Sequence, residues 1–190
     1  MKKIISTAAL SVLLAGTHVT TVVADESLYA GINYEIWSWD DEGAKPKPAY
    51  LTGKIGKKFT ENFALEGKLG VGLSDDSDST TYDAFGSTYE VDLTIDPKLY
   101  AGVFGVFSNN INDNFEIYAK AGLNYVSFDA EVKIEGFSVK ESATESKVAI
   151  GAGTNFFFNE KSGINLEVLA PSVADLGDIT TISFGYIHKF

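Results

Sequence analysis

Charged residues at alternating positions along several segments are the first candidates for chemistry in this 190-residue sequence. Carboxylates and amines in comparable number can act as acids and bases, or can neutralise each other as ion pairs in a polar interior. Catalysis would need a nucleophile–base pair as well. The predicted mature chain offers a single histidine, His188, to which no serine partner can be assigned, so we expect no enzyme. The charged set is Glu35, Lys54, Lys58, Glu66, Lys68, Glu116, Lys120, Lys147, Glu167 and Lys189.

An acidic run, Asp75–Asp78, resembles the start of a calcium-binding loop. An EF-hand would need Gly at position 81 and Glu at position 87, which are Thr81 and Ser87 here. A solvated charge run is the favoured interpretation, and a weak divalent site of another type stays open. We expect no metal site and no cofactor.

Composition excludes several classes of partner and chemistry. The chain has no cysteine, so it can form no disulfide and carries no thiol. Its net charge is −11 and becomes −13 once Lys2 and Lys3 are removed, which argues against nucleic acid or anionic lipid as a partner.

The amino-terminal residues 1–24 have the organisation of a secretory signal peptide. A basic start, Lys2 and Lys3, precedes an apolar stretch from Ile4 to Gly16, and Val22-Val23-Ala24 supplies small residues for cleavage after Ala24. We therefore predict residues 1–24 as the signal peptide and residues 25–190 as one domain. No later stretch has the roughly 20 apolar residues that a membrane helix needs.

Alternation of apolar and polar residues predicts eight strands. In the third, Phe63, Leu65, Leu69 and Val71 share one face, while Glu66 and Lys68 point the other way. The predicted ranges are 28–38, 50–59, 63–74, 98–107, 115–128, 147–158, 164–170 and 182–190. Pro97 requires a strand boundary or a bulge, because proline cannot donate to a ladder.

Turns and loops alternate in length between the predicted strands. Short turns follow strands two, four and six, whereas longer connections at 39–49, 75–96 and 129–146 lie at the opposite end. Residues 128–139 alternate well enough to extend strands five and six beyond the membrane. Phenylalanines of the apolar row recur at the short-turn end, as in an interfacial aromatic girdle: Phe59, Phe63, Phe107, Phe115, Phe158 and Phe190.

The last strand carries an aromatic carboxy-terminus. Ser183, Gly185, Tyr186 and Phe190 fit the polar-x-Gly-x-x-hydrophobic-x-aromatic pattern of outer-membrane barrel proteins. With the strand rhythm and the segments Tyr118–Tyr125 and Ala149–Asn155, this ending makes the chain resemble the small bacterial outer-membrane β-barrel family of the OmpX, Ail, opacity-protein and OmpA-barrel type.

The resemblance implies an all-β fold, an eight-stranded antiparallel up-and-down transmembrane β-barrel in the outer membrane of a Gram-negative bacterium. It also implies outer-membrane lipid and lipopolysaccharide as surroundings, recognition of the terminal pattern by the barrel-assembly machinery, and a host or surface protein as a possible partner of the acidic loops. Nucleic acid is not expected.

Three functional interpretations remain open. The favoured one is a structural or surface-interaction protein with a polar, largely plugged interior, in which Glu66 lies close to Lys54, Lys58 or a charge on another strand. A narrow channel or small-ligand carrier would instead need a continuous water path. A soluble lipocalin-type barrel would keep the apolar row inside around a ligand.

Overall fold

The structure, a computed structural model, describes residues 27–39, 45–84, 87–134, 137–172 and 179–190. Among these residues no helix is long and apolar enough to cross a membrane. The strands are β1 (Leu28–Trp39), β2 (Ala49–Lys58), β3 (Phe63–Ser74), β4 (Asp76–Ala84), β5 (Ser87–Asn112), β6 (Phe115–Ile134), β7 (Phe137–Phe157), β8 (Ser162–Ala170) and β9 (Ile179–Lys189).

Antiparallel pairing closes these strands into a ring. Each strand pairs with its neighbours along the chain, β1 also pairs with β9, and β3 pairs with β5. Strands β3 and β4 are separated only by Asp75 and both lie against β5, so they occupy one position in the ring. The prediction of an eight-stranded up-and-down barrel is therefore confirmed.

The predicted alternation of faces is also present in the structure. On β3, Leu65, Leu69 and Val71 are exposed on the outside, whereas Glu66 and Lys68 are buried inside. The same holds around the ring, and the outer surface is a continuous apolar belt. Charges inside and aliphatic side chains outside are the arrangement that lipid favours and water disfavours, so the lipocalin-type alternative is wrong.

Phenylalanines mark one level of the outer surface. Phe59, Phe63, Phe107 and Phe158 are exposed there, close to the turns at 59–62, 113–114 and 158–161. Aromatic rings at a common level are typical of a membrane–water interface. We refer to this as the short-turn end of the barrel.

At the opposite, long-loop end, the strands are longer than the sequence predicted. Most of the predicted loop 75–96 forms β4 and the start of β5, and β5 continues through Pro97 with a register shift between Pro97 and Leu99. The bulge alternative for Pro97 is thus correct. Strands β6 and β7 extend to Ile134 and Phe137, as the alternation of 128–139 predicted.

Candidate functional site: the barrel interior and the arm above it

A chain of ion pairs crosses the middle of the barrel. Lys68 Nζ contacts Glu35 and lies 3.1 Å from Glu167 Oε1. Lys120 Nζ lies 2.7 Å from the same Glu167 oxygen and 3.2 Å from Glu66 Oε1. All five side chains are at least 97% buried, and they come from four different strands, since Glu66 and Lys68 both lie on β3. The sequence prediction placed these residues inside, and the structure adds which of them meet.

Neutral hydrogen-bond donors also reach the carboxylates of these ion pairs, and of the six carboxylate oxygens Glu35 Oε2 is left without a hydrogen-bond partner among the described residues. The Tyr29 hydroxyl donates to Glu66 Oε2 at 3.0 Å, and the Tyr118 hydroxyl donates to Glu167 Oε2 at 2.7 Å. Thr52 donates to Glu35 Oε1 at 2.8 Å. Buried charges are tolerated when they are paired and hydrogen-bonded, which describes this cluster.

Lys54 is the buried lysine that approaches an amide instead of a carboxylate. Its Nζ donates to Asn165 Oδ1 at 2.9 Å, and it lies 5.8 Å from the centroid of the Tyr118 ring. Asn165 in turn donates to the Tyr118 hydroxyl and to Asn155 Oδ1. With Lys54, the central cluster holds three lysines and three glutamates, so its formal charge is zero.

A second, smaller polar group lies at the short-turn end. Lys58 Nζ is 2.8 Å from Glu116 Oε2, and Asn155 donates to Glu116 Oε1 at 2.8 Å. Lys189 Nζ lies 3.6 Å from the centroid of the Phe157 ring. The cavity between these groups has a volume of about 20 Å³. That is room for about one water molecule.

Three aromatic rings cluster inside the barrel at the long-loop end. Trp37, Tyr50 and Tyr100 are buried, and the ring centroid of Trp37 lies 5.1 Å from that of Tyr50 and 5.5 Å from that of Tyr100. Lys147, which the sequence prediction placed in the interior charge row, is 37% exposed at this rim, 3.5 Å from Glu145.

Sequence reasoning missed the neutral members of this interior. Tyr29, Tyr118, Asn33, Asn165 and Tyr100 received no role, although all of them fall on the inner row by parity. Parity was the signal that could have found them. It does not say which inner residues meet, because contacts across the lumen join strands that are not neighbours in the sheet.

Above the barrel rim, four strand segments form one sheet, here called the arm: residues 76–84 of β4, 87–97 of β5, 128–134 of β6 and 137–149 of β7. One face continues the inner row and is mainly apolar, with Ile95 and Phe128 buried at its base and Phe137 82% exposed at its tip. The backbone N–H groups of Lys45 and Lys47 donate to Asp78 and Asp76 and cover one side of the base.

The other face of the arm carries exposed charges in pairs. The Ser142 hydroxyl donates to Asp129 at 2.6 Å, and this bond lowers the pKa of Asp129, aided by the ammonium groups of Lys98 and Lys140, each 3.5 Å away. The Ser138 hydroxyl likewise donates to Glu131 and lowers its pKa. The four segments of the arm hold ten acidic and three basic residues, a net charge of −7.

Comparison with known proteins agrees with this architecture. The family model described as "Outer membrane protein beta-barrel domain" matches residues 7–190. The chain belongs to this family.

Solved structures of outer-membrane barrels share the fold. Ail of Yersinia pestis is 17% identical in sequence, with a TM-score of 0.53, and the match covers 86% of this chain and 97% of Ail. Neisserial surface protein A is 11% identical, with a TM-score of 0.53, and the match covers 86% of this chain and 97% of that protein. OprG of Pseudomonas aeruginosa is 14% identical, with a TM-score of 0.50, and the match covers 86% of this chain and 94% of OprG. No curated protein sequence matches significantly. At these identities the likeness concerns the fold alone.

The predicted assembly-signal residues of this outer-membrane barrel lie on the two faces of β9. Ser183 is buried inside, and Tyr186 points outward, where its hydroxyl donates to Ser162 Oγ at 2.9 Å. The Phe190 backbone N–H donates to the Leu28 carbonyl at 3.1 Å and so ties the end of the chain to β1. Gly185 stands opposite Asn33. The cleavage site at Ala24 lies outside the described residues.

His188 does have a serine partner, contrary to the sequence prediction. Its Nδ1 lies 3.0 Å from Ser162 Oγ, since the two residues stand directly opposite each other on β9 and β8. The His188 ring also stacks on Tyr186 and meets Phe190 edge-on. Within the described residues no carboxylate orients this histidine, and the contacts fit an interfacial aromatic cluster better than a catalytic pair.

Proposed function

We propose that this chain is an integral outer-membrane protein with a sealed lumen, and that it acts at the cell surface through its acidic arm. Residues 1–24 serve as a signal peptide cleaved after Ala24. The barrel-assembly machinery reads Ser183, Gly185, Tyr186 and Phe190, and the apolar belt contacts lipid and lipopolysaccharide. The protein is not an enzyme.

The observation that carries the sealed lumen is the ion-pair chain from Glu35 to Glu66. Its members project from strands around the ring and meet in the middle, and Trp37 and Tyr100 lie above them. A water path would have to separate buried pairs, each of which costs several kcal/mol to break. This supports a surface role over the channel or carrier alternative.

The acidic charge of the arm indicates what it binds. One Ail structure is a complex with the heparin analogue sucrose octasulfate, a polyanion. An arm with a net charge of −7 would repel such a ligand, so we expect cationic partners here. Short turns face the periplasm in bacterial outer-membrane barrels, which supports an arm that lies outside the cell.

Site-specific labelling of intact cells tests this orientation. Because the chain has no cysteine, Thr144→Cys on the arm and Asp113→Cys in a short turn each introduce a single thiol. A membrane-impermeant maleimide should label the first variant in intact cells and the second only after lysis. The reverse pattern would overturn the proposed orientation.

Solute passage is tested separately. Liposomes that contain the purified protein should not swell in isotonic arabinose, and liposomes that contain a general porin serve as the positive control. Swelling at a rate comparable to the porin would replace the surface role by the channel alternative.

A further inference from the structure

Strand β7 forms a long edge of the arm. Strand β7 pairs with β8 from Ile150 onward, and within the described residues no strand pairs with the same side of β7 between 137 and 149. This edge is about 40 Å long at ~3.3 Å per residue. An exposed edge presents free backbone donors and acceptors, which can bind another strand.

The backbone groups on this edge belong to the even-numbered residues. The Phe157 N–H donates toward β6, to Asn114 O at 2.7 Å, and the Phe158 N–H donates toward β8, to Ser162 O at 3.0 Å. Pairing between β6 and β7 runs without a register shift from Phe156 to Phe137. The alternation therefore holds along the strand, and residues 138, 140, 142, 144, 146 and 148 direct their N–H and C=O groups away from β6.

The odd-numbered side chains of the edge lie on the apolar face of the arm. Phe137 and Val139 are 82% and 68% exposed at the tip. Glu141 and Glu145 are exposed carboxylates further down, on either side of Ala143. A strand added here would place its own alternate side chains beside this row.

We propose that the β7 edge, residues 137–149, binds an extended segment of another protein by strand addition. The segment carries apolar residues opposite Phe137, Val139 and Ala143, and Lys or Arg opposite Glu141 and Glu145. This inference rests on the proposed surface function and specifies its partner. Main-chain hydrogen bonds would supply affinity, and the two carboxylates would select a basic sequence.

A second copy of this chain fits the edge poorly. In the same membrane, two copies are related by a two-fold axis along the membrane normal, so their β7 edges would run parallel. The same rotation turns one sheet over, so the apolar face of one arm would adjoin the polar face of the other. Antiparallel pairing, which keeps the apolar faces together, requires a copy on an opposing membrane. Either way, two arms of net charge −7 repel each other.

A synthetic peptide is the direct probe. Its sequence, Val-Thr-Val-Thr-Lys-Thr-Val-Thr-Lys, matches the row read from Phe137 to Glu145, and the reversed sequence covers antiparallel addition. Binding to the refolded protein is measured by fluorescence anisotropy, against the same peptides with Glu for Lys. The Lys peptide in one of the two orders should bind at least about tenfold more tightly than its Glu counterpart. Equal affinity would overturn the charge argument.

Thr144→Pro tests the main-chain bonds. The backbone N–H of Thr144 points away from β6, so proline at this position removes a donor from the exposed edge and leaves the hydrogen bonds between β6 and β7 intact. We expect about tenfold weaker peptide binding, the equivalent of one hydrogen bond, while Thr144→Ala binds as the parent does. Unchanged binding by a folded Thr144→Pro variant would rule out strand addition. Glu141→Lys with Glu145→Lys should reverse the peptide preference, and an unreversed preference would contradict the assignment.

Amide hydrogen exchange tests where the peptide binds on the unaltered protein. The bound peptide should slow exchange at residues 138, 140, 142, 144 and 146, whereas the odd-numbered amides are already bonded to β6. Protection at another surface would overturn the proposal, and concentration-dependent protection without peptide would assign the edge to a second copy. Surface labelling and liposome swelling are independent of peptide binding, so failure of the docking proposal is distinguishable from failure of the proposed function.

Discussion

Replacing Lys68 by methionine removes the cation that joins two buried carboxylates. Lys68 Nζ contacts both Glu35 and Glu167, and the side chains are 99% to 100% buried. Methionine has a similar length and no charge, so the variant changes the electrostatics and nearly preserves the volume. Glu167 keeps Lys120 and the Tyr118 hydroxyl as partners. Glu35 is left with Thr52 alone.

The magnitude follows from the uncompensated charge on Glu35. Removing one partner of a buried ion pair costs about 3–5 kcal/mol, because the other charge stays in a low-dielectric environment. We expect a loss in this range. Adding Glu35→Gln should restore most of it, since a neutral amide can stay buried and still accept from Thr52.

Equilibrium unfolding in urea, with the protein in lipid vesicles, measures this difference. The matched control is Lys140→Met on the arm, where an exposed lysine lies 3.5 Å from Asp129 and its loss should cost no more than about 1 kcal/mol. If Lys68→Met and Lys140→Met were equally stable, or if Glu35→Gln lowered stability further, the ion-pair chain would not be the structural core that the distances indicate.

Three further predictions concern the lipid face, the arm and the chain terminus. Leu123→Arg, at a lipid-facing position that is 65% exposed, should destabilise the barrel by about 2–4 kcal/mol in vesicles, whereas Leu123→Met should have little effect; equal stability would mean that this face does not contact lipid. The pKa of Asp129 is lowered in the folded state, so the hydrogen bond that Ser142 donates to it should be present at neutral pH and be lost as the pH falls through that lowered pKa. An NMR titration of Ser142 with a midpoint above about pH 3.9, the ordinary pKa of aspartate, would contradict this. Deletion of Phe190 should slow assembly and leave precursor or degraded protein in the periplasm, and a normal yield of heat-modifiable barrel would count against the assembly signal.

The faces of the strands could be predicted from the sequence because side-chain direction alternates strictly along a strand. The parity of Leu65, Glu66 and Lys68 follows from spacing alone, and the lipid-facing row is nearly free of charge. The same rule predicted the extension of β6 and β7. It was not applied to Tyr89, Val91, Leu93 and Ile95, where the many Asp, Ser and Thr residues nearby suggested a loop, and the structure has strand β5.

The ion-pair partners could not be predicted, because they depend on geometry across the lumen. Lys54 and Lys68 stand directly opposite each other on neighbouring strands, a pairing that repulsion alone would disfavour. Lys54 instead reaches Asn165, and Lys68 reaches Glu167. Both partners lie on β8, more than 90 residues away in sequence. Glu66 meets Lys120 of β6, which agrees with the expectation of a charge on another strand.

Single-channel recording in planar bilayers tests the sealed lumen most directly. The unaltered protein should show no steady conductance. A variant with alanine at Glu35, Lys68 and Tyr100, verified as folded by heat-modifiable gel mobility, should show discrete open steps, because it loses both the ion pair and the ring above it. A stable, large conductance from the unaltered protein would contradict the account and establish a continuous water path through the barrel.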